Sequence, residues 1–186
     1  MTLPKLTDYA RIEHERITGA KRTIETEHSY IHEGIFFQVF DLATLATTAT
    51  RNFVIQTPAN LYLHYRNERV SSSGDKILIQ LFEGTTLDAV PGGTPLTPFN
   101  HNRESGLNSA TTVLINPTIT DDGLQIAQSY IGGGTGVGGA RSGEETSAAN
   151  EWILSPATNY LVRITNGSTA NNIINTLIAW YEEDMA

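Results

Sequence analysis

The feature that most constrains this chain is a succession of short β-type segments between residues 35 and 182. Leu61, Leu63 and Tyr65 alternate with Tyr62, His64 and Arg66, as in a strand with one buried face. The last segment, Ile173 to Glu182, is apolar on both faces. Eight or nine such segments without a long helix between them predict an all-β protein, an antiparallel β-sandwich with a jelly roll as the preferred winding.

Residues 1–29 differ from the rest and are predicted to form an N-terminal arm that precedes a sandwich domain over residues 30–186. The arm holds five basic and five acidic residues, so it is densely charged but neutral. Thr7-Asp8 could cap a short helix in which Tyr9, Ile12 and Ile17 share one face, with Gly19 at its end. Such a thin apolar stripe is marginal alone. The arm is therefore either a solvated tail or a segment that orders against a neighbouring subunit.

Charge and composition exclude several classes of function. The formal net charge is −8, and residues 30–186 carry all of it, with seven basic and fifteen acidic side chains. An acidic body repels phosphate, which argues against direct binding of nucleic acid. The absence of cysteine excludes disulfides and metal sites with sulfur ligands. No segment has the length of a membrane span and the start shows no signal peptide, so we expect the chain to be made in a cytoplasm and either used there or assembled from there into something larger.

Two long irregular stretches, residues 84–110 and 132–150, are the expected places of partner contact. The second contains a glycine run that leads into Ala140-Arg141-Ser142. A phosphate-binding loop would need a lysine there, so the run is interpreted as a surface loop. Asn166-Gly167-Ser168 matches a glycosylation sequon and is interpreted as an ordinary turn.

No pattern in the chain predicts a catalytic centre, a metal site or a cofactor. His28 and His32 lie among acidic residues, but an extended chain would hold the two rings about 13 Å apart, too far for one ion. A helix would allow chelation, but the segment from Ile31 to Phe40 favours a strand. Asp121-Asp122-Gly123 is predicted to be a hairpin turn rather than an acid–base pair.

Several blocks together resemble a family of virion structural proteins of tailed bacteriophages, the capsid cement or decoration proteins. The blocks are residues 27–34 (Glu-His-Ser-Tyr-Ile-His-Glu-Gly), Phe36-Phe37, Glu83-Gly84-Thr85, Asn100-His101-Asn102-Arg103, residues 159–166 (Asn-Tyr-Leu-Val-Arg-Ile-Thr-Asn) and Ala179-Trp180-Tyr181-Glu182. The resemblance implies a β-sandwich that forms a homotrimer on the outer surface of the capsid and binds the major capsid protein. It implies no catalytic residues.

These considerations give a set of candidate partner-binding residues in the arm and in the two long loops. They are Tyr9, Ile12, Arg16, Ile17, Arg22, Asn100, Asn102, Arg103 and Arg141.

Two other classes of function stay open at this point. A glycan- or receptor-binding module of a head fibre or tail fibre could use Tyr62, Tyr65 and Phe99 beside Asn60, Asn67, Asn100 and Asn102. A cupin-like enzyme would need several histidines inside the barrel, and the spacing of His32, His64 and His101 does not match that pattern.

Overall fold

The computed structural model describes residues 13–14, 21–22, 26–74, 76–131, 141–143 and 151–185. One helix, α1 (Thr26–Glu33), precedes the main strands. The strands are β1 (Glu13–His14), β2 (Lys21–Arg22), β3 (Phe36–Leu45), β4 (Thr50–Gln56), β5 (Leu61–Ser72), β6 (Ile77–Glu83), β7 (Thr86–Leu87), β8 (Thr94–Leu96), β9 (Phe99–Asn100), β10 (Thr112–Ile115), β11 (Ile119–Asp121), β12 (Leu124–Ile131), β13 (Arg141–Gly143), β14 (Trp152–Leu154), β15 (Asn159–Asn166) and β16 (Asn172–Asp184).

The predicted antiparallel sandwich is confirmed, and its strands pair in the order of a jelly roll. The first long strand, β3, pairs with the last, β16; β4 pairs with β15, β5 with β14, and β6 with β12. All four pairings are antiparallel, as when one long hairpin is folded back on itself. The segments predicted around Leu61 to Tyr65 and from Ile173 to Glu182 lie within β5 and β16.

The jelly-roll pairs are distributed over two six-membered sheets. The β4 sheet has the order β12-β6-β15-β4-β10-β8. The β16 sheet has the order β13-β5-β16-β3-β9, with β14 also paired to β5. The predicted loop 84–110 thus contributes β8 and β9, which extend one edge of each sheet.

The main core lies between the two sheets and follows the alternation of each strand. Leu63 and Tyr65 of β5, together with Ile178 and Trp180 of β16, face inward and are buried. The β4 sheet contributes a second apolar layer, which includes Phe53, Ile55, Tyr160, Val162 and Ile164. Burial of this apolar surface is the main favourable contribution to folding.

Some strands are apolar on both faces because a further element packs on part of the outer face of each sheet. On the β4 sheet, Val54, Phe82 and Leu161 are buried beneath Leu87 and Ile119 of the small β7–β11 sheet. On the β16 sheet, α1 covers Phe36, Ala179 and Tyr181. The fold therefore has a third layer in two places.

Near the N-terminus, the strand predicted from residue 30 is wrong at its start, and the helix suggested further upstream is contradicted at two residues. The strand pattern expected from residue 30 begins only at Phe36, because residues 26–33 form α1. Most of the short helix suggested between Thr7 and Gly19 lies outside the described residues, but two of its residues, Glu13 and His14, pair as a strand with Lys21–Arg22. Tertiary packing of Tyr30 favours the helix α1 over the local strand signal.

The Asp121-Asp122-Gly123 turn is present but does not close a hairpin. β11 pairs with β7, whereas β12 pairs with β6, so the turn passes the chain from the small sheet to the β4 sheet. Gly123 has φ +84°, and a Cβ there would lie 2.2 Å from the carbonyl oxygen of Glu83. Glycine is therefore required at this position by both backbone conformation and space.

The sequon asparagine, Asn166, is fully buried and is part of the turn that the sequence predicts. Its amide nitrogen donates to the carbonyl oxygens of Leu45, Ala46 and Ala170, and its oxygen accepts from Ser168 and Asn172. A side chain with these contacts links the β3–β4 turn to the β15–β16 turn and cannot carry a glycan in the folded state.

Candidate functional site: the outer face of the β16 sheet

The outer face of the β16 sheet is the most distinctive surface of the described chain. Cross-strand register places Tyr181 beside Phe36 and His64, and Leu177 beside Phe40. Farther along the same face, Asn175 lies beside Leu42 and Ile173 beside Thr44. The end near Tyr181 is covered by α1, while the end near Ile173 is open.

A polar cluster is buried at the covered end, and His64 lies at its centre. Its Nδ1 is 2.6 Å from Oε1 of Glu151, and its Nε2 is 3.3 Å from Oε2 of Glu183. The ring also stacks on Tyr181, with ring centroids 4.2 Å apart. Both ring nitrogens thus lie close to carboxylate oxygens.

Glu151 is the residue that connects the cluster. It accepts hydrogen bonds from the Tyr181 hydroxyl at 2.5 Å and from Nη1 of Arg66 at 2.9 Å. Burial alone would raise the pKa of Glu151, but hydrogen bonds from Tyr181, Arg66 and His64 outweigh burial and lower it. Glu151 therefore stays ionised and ties the start of β14 to β5 and β16.

The two tyrosines of the cluster hold α1 in place. Tyr30 of α1 stacks on Tyr181 with ring centroids 4.0 Å apart. Burial raises the pKa of both phenols, and hydrogen bonding of Tyr181 to Glu151 raises its pKa further. Both groups therefore remain neutral hydrogen-bonding groups. We name the set Tyr30, His64, Arg66, Glu151, Tyr181 and Glu183 the His64 cluster.

The His64 cluster joins elements that are far apart in the chain, which is why sequence reasoning did not find it. Glu151 is 87 positions from His64, and Tyr181 is 30 positions from Glu151. A signal was present only in the ending of the chain, where Tyr181 and two glutamates follow a buried tryptophan. The chemistry of the cluster is that of ion pairing and hydrogen bonding, and it locks α1 and β14 onto the sheet.

The histidines considered for metal binding are arranged differently from the prediction. His28 and His32 both lie on α1, and their Nε2 atoms are 2.9 Å apart, so the separation of about 13 Å expected for a strand is wrong. Among the described residues, no group of three or more potential ligands has a geometry that could hold a metal ion. Within the same residues, no helix is long and apolar enough to cross a membrane.

Next to the His64 cluster lies an exposed apolar surface on the same sheet face, which we name the β3–β16 patch. It consists of Phe40, Leu42, Phe99 and Ile173, which are 56%, 68%, 39% and 52% exposed. Phe40 and Phe99 stack with ring centroids 5.6 Å apart. Four large apolar side chains open to solvent on one face are typical of an interaction surface.

The candidate partner residues of loop 84–110 lie at the border between α1 and this patch. Asn100 donates to the carbonyl oxygens of Gly34 and Leu107, and Asn102 donates to that of His32. Both amides therefore hold the loop against the end of α1. Arg103 is exposed, and its guanidinium lies 6.0 Å from the ring centroid of Phe99. Of these three candidates, Arg103 is the one whose side chain is exposed beside the patch.

The other candidate residues are described only in part or not at all. Tyr9, Ile12, Arg16 and Ile17 lie outside the described residues. Arg22 and Arg141 are placed as backbone in β2 and β13. Arg141 therefore lies beside Ser72 at the edge of the β16 sheet.

The candidates for glycan binding are dispersed. Tyr65 is in the core, whereas Tyr62 is 40% exposed on the outer side of the same strand. Phe99 belongs to the β3–β16 patch, and Asn100 is bonded within its loop.

The comparisons with known proteins add no relative. No protein-family model and no curated protein matches the chain. The geometry of the sheet face is therefore the basis of the functional argument.

Proposed function

We propose that this chain is a non-enzymatic structural protein of a tailed-phage virion, a capsid cement or decoration protein. In this role it binds the outer head surface, contacts the major capsid protein and associates with copies of itself, as a homotrimer. The family resemblance motivates this proposal. The observation that carries it is the β3–β16 patch, in which four large apolar side chains are exposed on one face of the β16 sheet.

The physical argument concerns the surface that an isolated sandwich would present to water. A jelly roll needs one buried face per sheet, and the β16 sheet already buries its inner face against the β4 sheet. The outer face is further covered by α1 at one end only. Apolar area left open at the other end gains free energy when a partner covers it, at about 25 cal/mol per Å².

The rigidity of the surrounding structure also supports an assembly role. The His64 cluster fixes α1 and β14 on the sheet, and Asn100 and Asn102 fix the loop beside them. A surface that is already ordered loses little conformational entropy on binding. Many such contacts repeated over a shell sum to a strong attachment.

The test compares wild type with a Phe40→Ser/Leu42→Ser variant by light scattering and by sedimentation with phage heads assembled without this protein. We expect wild type to have three times the 20.3 kDa chain mass and to sediment with heads. The variant should lose one or both properties while remaining folded. Val90→Ser is the matched control, because Val90 is 82% exposed and outside the patch.

Two outcomes would contradict the proposal. One is a wild-type monomer that does not sediment with heads, and the other is a double variant that behaves like wild type in both assays. A monomer that binds glycans on an array would favour the alternative, a receptor- or glycan-binding fibre module.

A further inference from the structure

We propose that the β3–β16 patch is covered by the N-terminal segment, residues 1–25, of a second copy of this chain. The inference rests on the proposed function only in that copies associate with one another. It goes further in naming the two surfaces that meet.

The first observation is the position of the patch relative to the chain's N-terminal side. α1 begins at Thr26 and packs on the same outer face through Tyr30. Leu177 is shared between the two regions, since it packs against the Tyr30 group and pairs with Phe40 in the ladder. The segment before residue 26 is therefore joined to a helix that borders the patch.

The second observation is the pairing of β1 with β2. These two-residue strands form a ladder of their own, and in the described part of the chain they pair with neither of the large sheets. A two-stranded ladder is at best marginally stable in water and needs a surface to pack against. The open face of the β16 sheet supplies apolar surface of this kind.

The third observation is charge. The body of the chain carries the whole net charge of −8, so contact between two bodies places acidic surfaces together. Residues 1–25 hold five basic and four acidic side chains and include the apolar residues Tyr9, Ile12, Ile17 and Ile24. A nearly neutral segment with these side chains can approach an acidic body without that repulsion.

A second copy, rather than the same chain, is chosen because the proposed function has copies of the chain associating with one another. If residues 1–25 covered the β3–β16 patch of their own chain, that patch would no longer be exposed and could not join one copy to another. Exchange of the segment from each copy to the next closes in a ring under rotational symmetry. A trimer of this type would bury three patches with three equivalent contacts.

The absence of cysteine makes a cross-linking test direct. Ile12→Cys and Leu42→Cys are made in separate full-length chains that carry different tags, refolded together and oxidised. Ile12→Cys with Val90→Cys is the control pair, since both Leu42 and Val90 are highly exposed and only Leu42 is in the patch. We expect a mixed-tag covalent dimer at a yield at least five times that of the control.

Two results would overturn the inference. Equal yields from the two pairs would show that the contact is not specific. An intramolecular cross-link in a chain that carries both Ile12→Cys and Leu42→Cys, without mixed-tag dimers, would assign the segment to its own patch. Either result leaves the proposed function to be judged separately, by sedimentation with heads.

Discussion

At the scale of single residues, Glu182 shows how one buried carboxylate organises a loop. Its Oε1 accepts from Trp180 Nε1 at 3.1 Å, and from the Thr111 hydroxyl and Ser109 hydroxyl at 2.8 and 2.5 Å. The backbone nitrogens of Ala110 and Thr111 also donate to the carboxylate. An anion that accepts this many hydrogen bonds is well suited to the site, because every neighbour is a donor.

We expect Glu182→Gln to destabilise the fold by about 2–3 kcal/mol, because the new amide group places a donor among donors. Urea unfolding followed by circular dichroism measures the change. Glu104→Gln is the control, since the Glu104 side chain is exposed and should change stability by less than about 0.5 kcal/mol. A Glu182→Gln protein as stable as the control would contradict the assigned role.

At the scale of elements, the outer face of the β16 sheet is assembled from parts of very different sequence position. β14 is short and is held at its start by Glu151, which bonds to Arg66 of β5 and Tyr181 of β16. α1 is held by the stacking of Tyr30 on Tyr181. The helix and the short strand depend on these side chains, because neither is long enough to be stable on its own.

Glu151→Gln should therefore make the free energy of unfolding depend less on pH in the acidic range. The pKa of Glu151 is lowered in the folded protein from its ordinary 4.5. Its ionised form stabilises the fold above that value, and this contribution disappears as the pH falls through the lower folded-state pKa. We expect the variant to be about 2 kcal/mol less stable at about pH 7, with a gap that narrows at about pH 3.

Urea unfolding at the two pH values measures that gap, with Glu104→Gln again as the control. A difference between wild type and Glu151→Gln that stays constant, or widens, in acid would contradict the assignment. Asp122 is a second carboxylate whose pKa is lowered in the folded protein, by its hydrogen bonds with Arg163, and it is present in both wild type and variant.

At the scale of the whole molecule, the jelly roll joins the beginning and the end of the sandwich. β3 and β16 pair over ten register positions, from Phe36 with Tyr181 to Leu45 with Asn172. To pair, two segments this far apart must first close a long loop, and the entropy cost of that closure comes before the contacts between the strands add to stability. All-β topologies with such non-local contacts fold slowly compared with helical proteins.

We therefore expect refolding on a timescale of about milliseconds to seconds, measured by stopped-flow fluorescence of Trp180. Trp180 is completely buried at the centre of the core, whereas Trp152 is 41% exposed. Trp152→Phe leaves Trp180 as the only tryptophan, so the signal reports formation of the core. Complete refolding in microseconds would contradict a pathway limited by long-range pairing.

The sequence alone determined the fold class and most of the strands. Alternation in Leu61, Leu63 and Tyr65 identified an inward face, because side chains on a strand point to opposite sides with a period of two. The residue types of Asn166-Gly167-Ser168 identified the turn there. Patterns of this kind depend only on neighbours in the chain, and the sandwich confirms them.

Only the tertiary structure decided which parts of the outer sheet faces are covered and which are open to solvent. The apolar residues of β3 and β16 have similar local patterns, yet Phe36 and Tyr181 lie under α1 while Phe40 and Ile173 are exposed. Helix α1 forms where the local pattern from residue 30 predicted a strand, and the His64 cluster joins four segments that are far apart in the chain. Coverage and clustering depend on long-range register, and register is a property of the folded pairing of strands rather than of any local pattern.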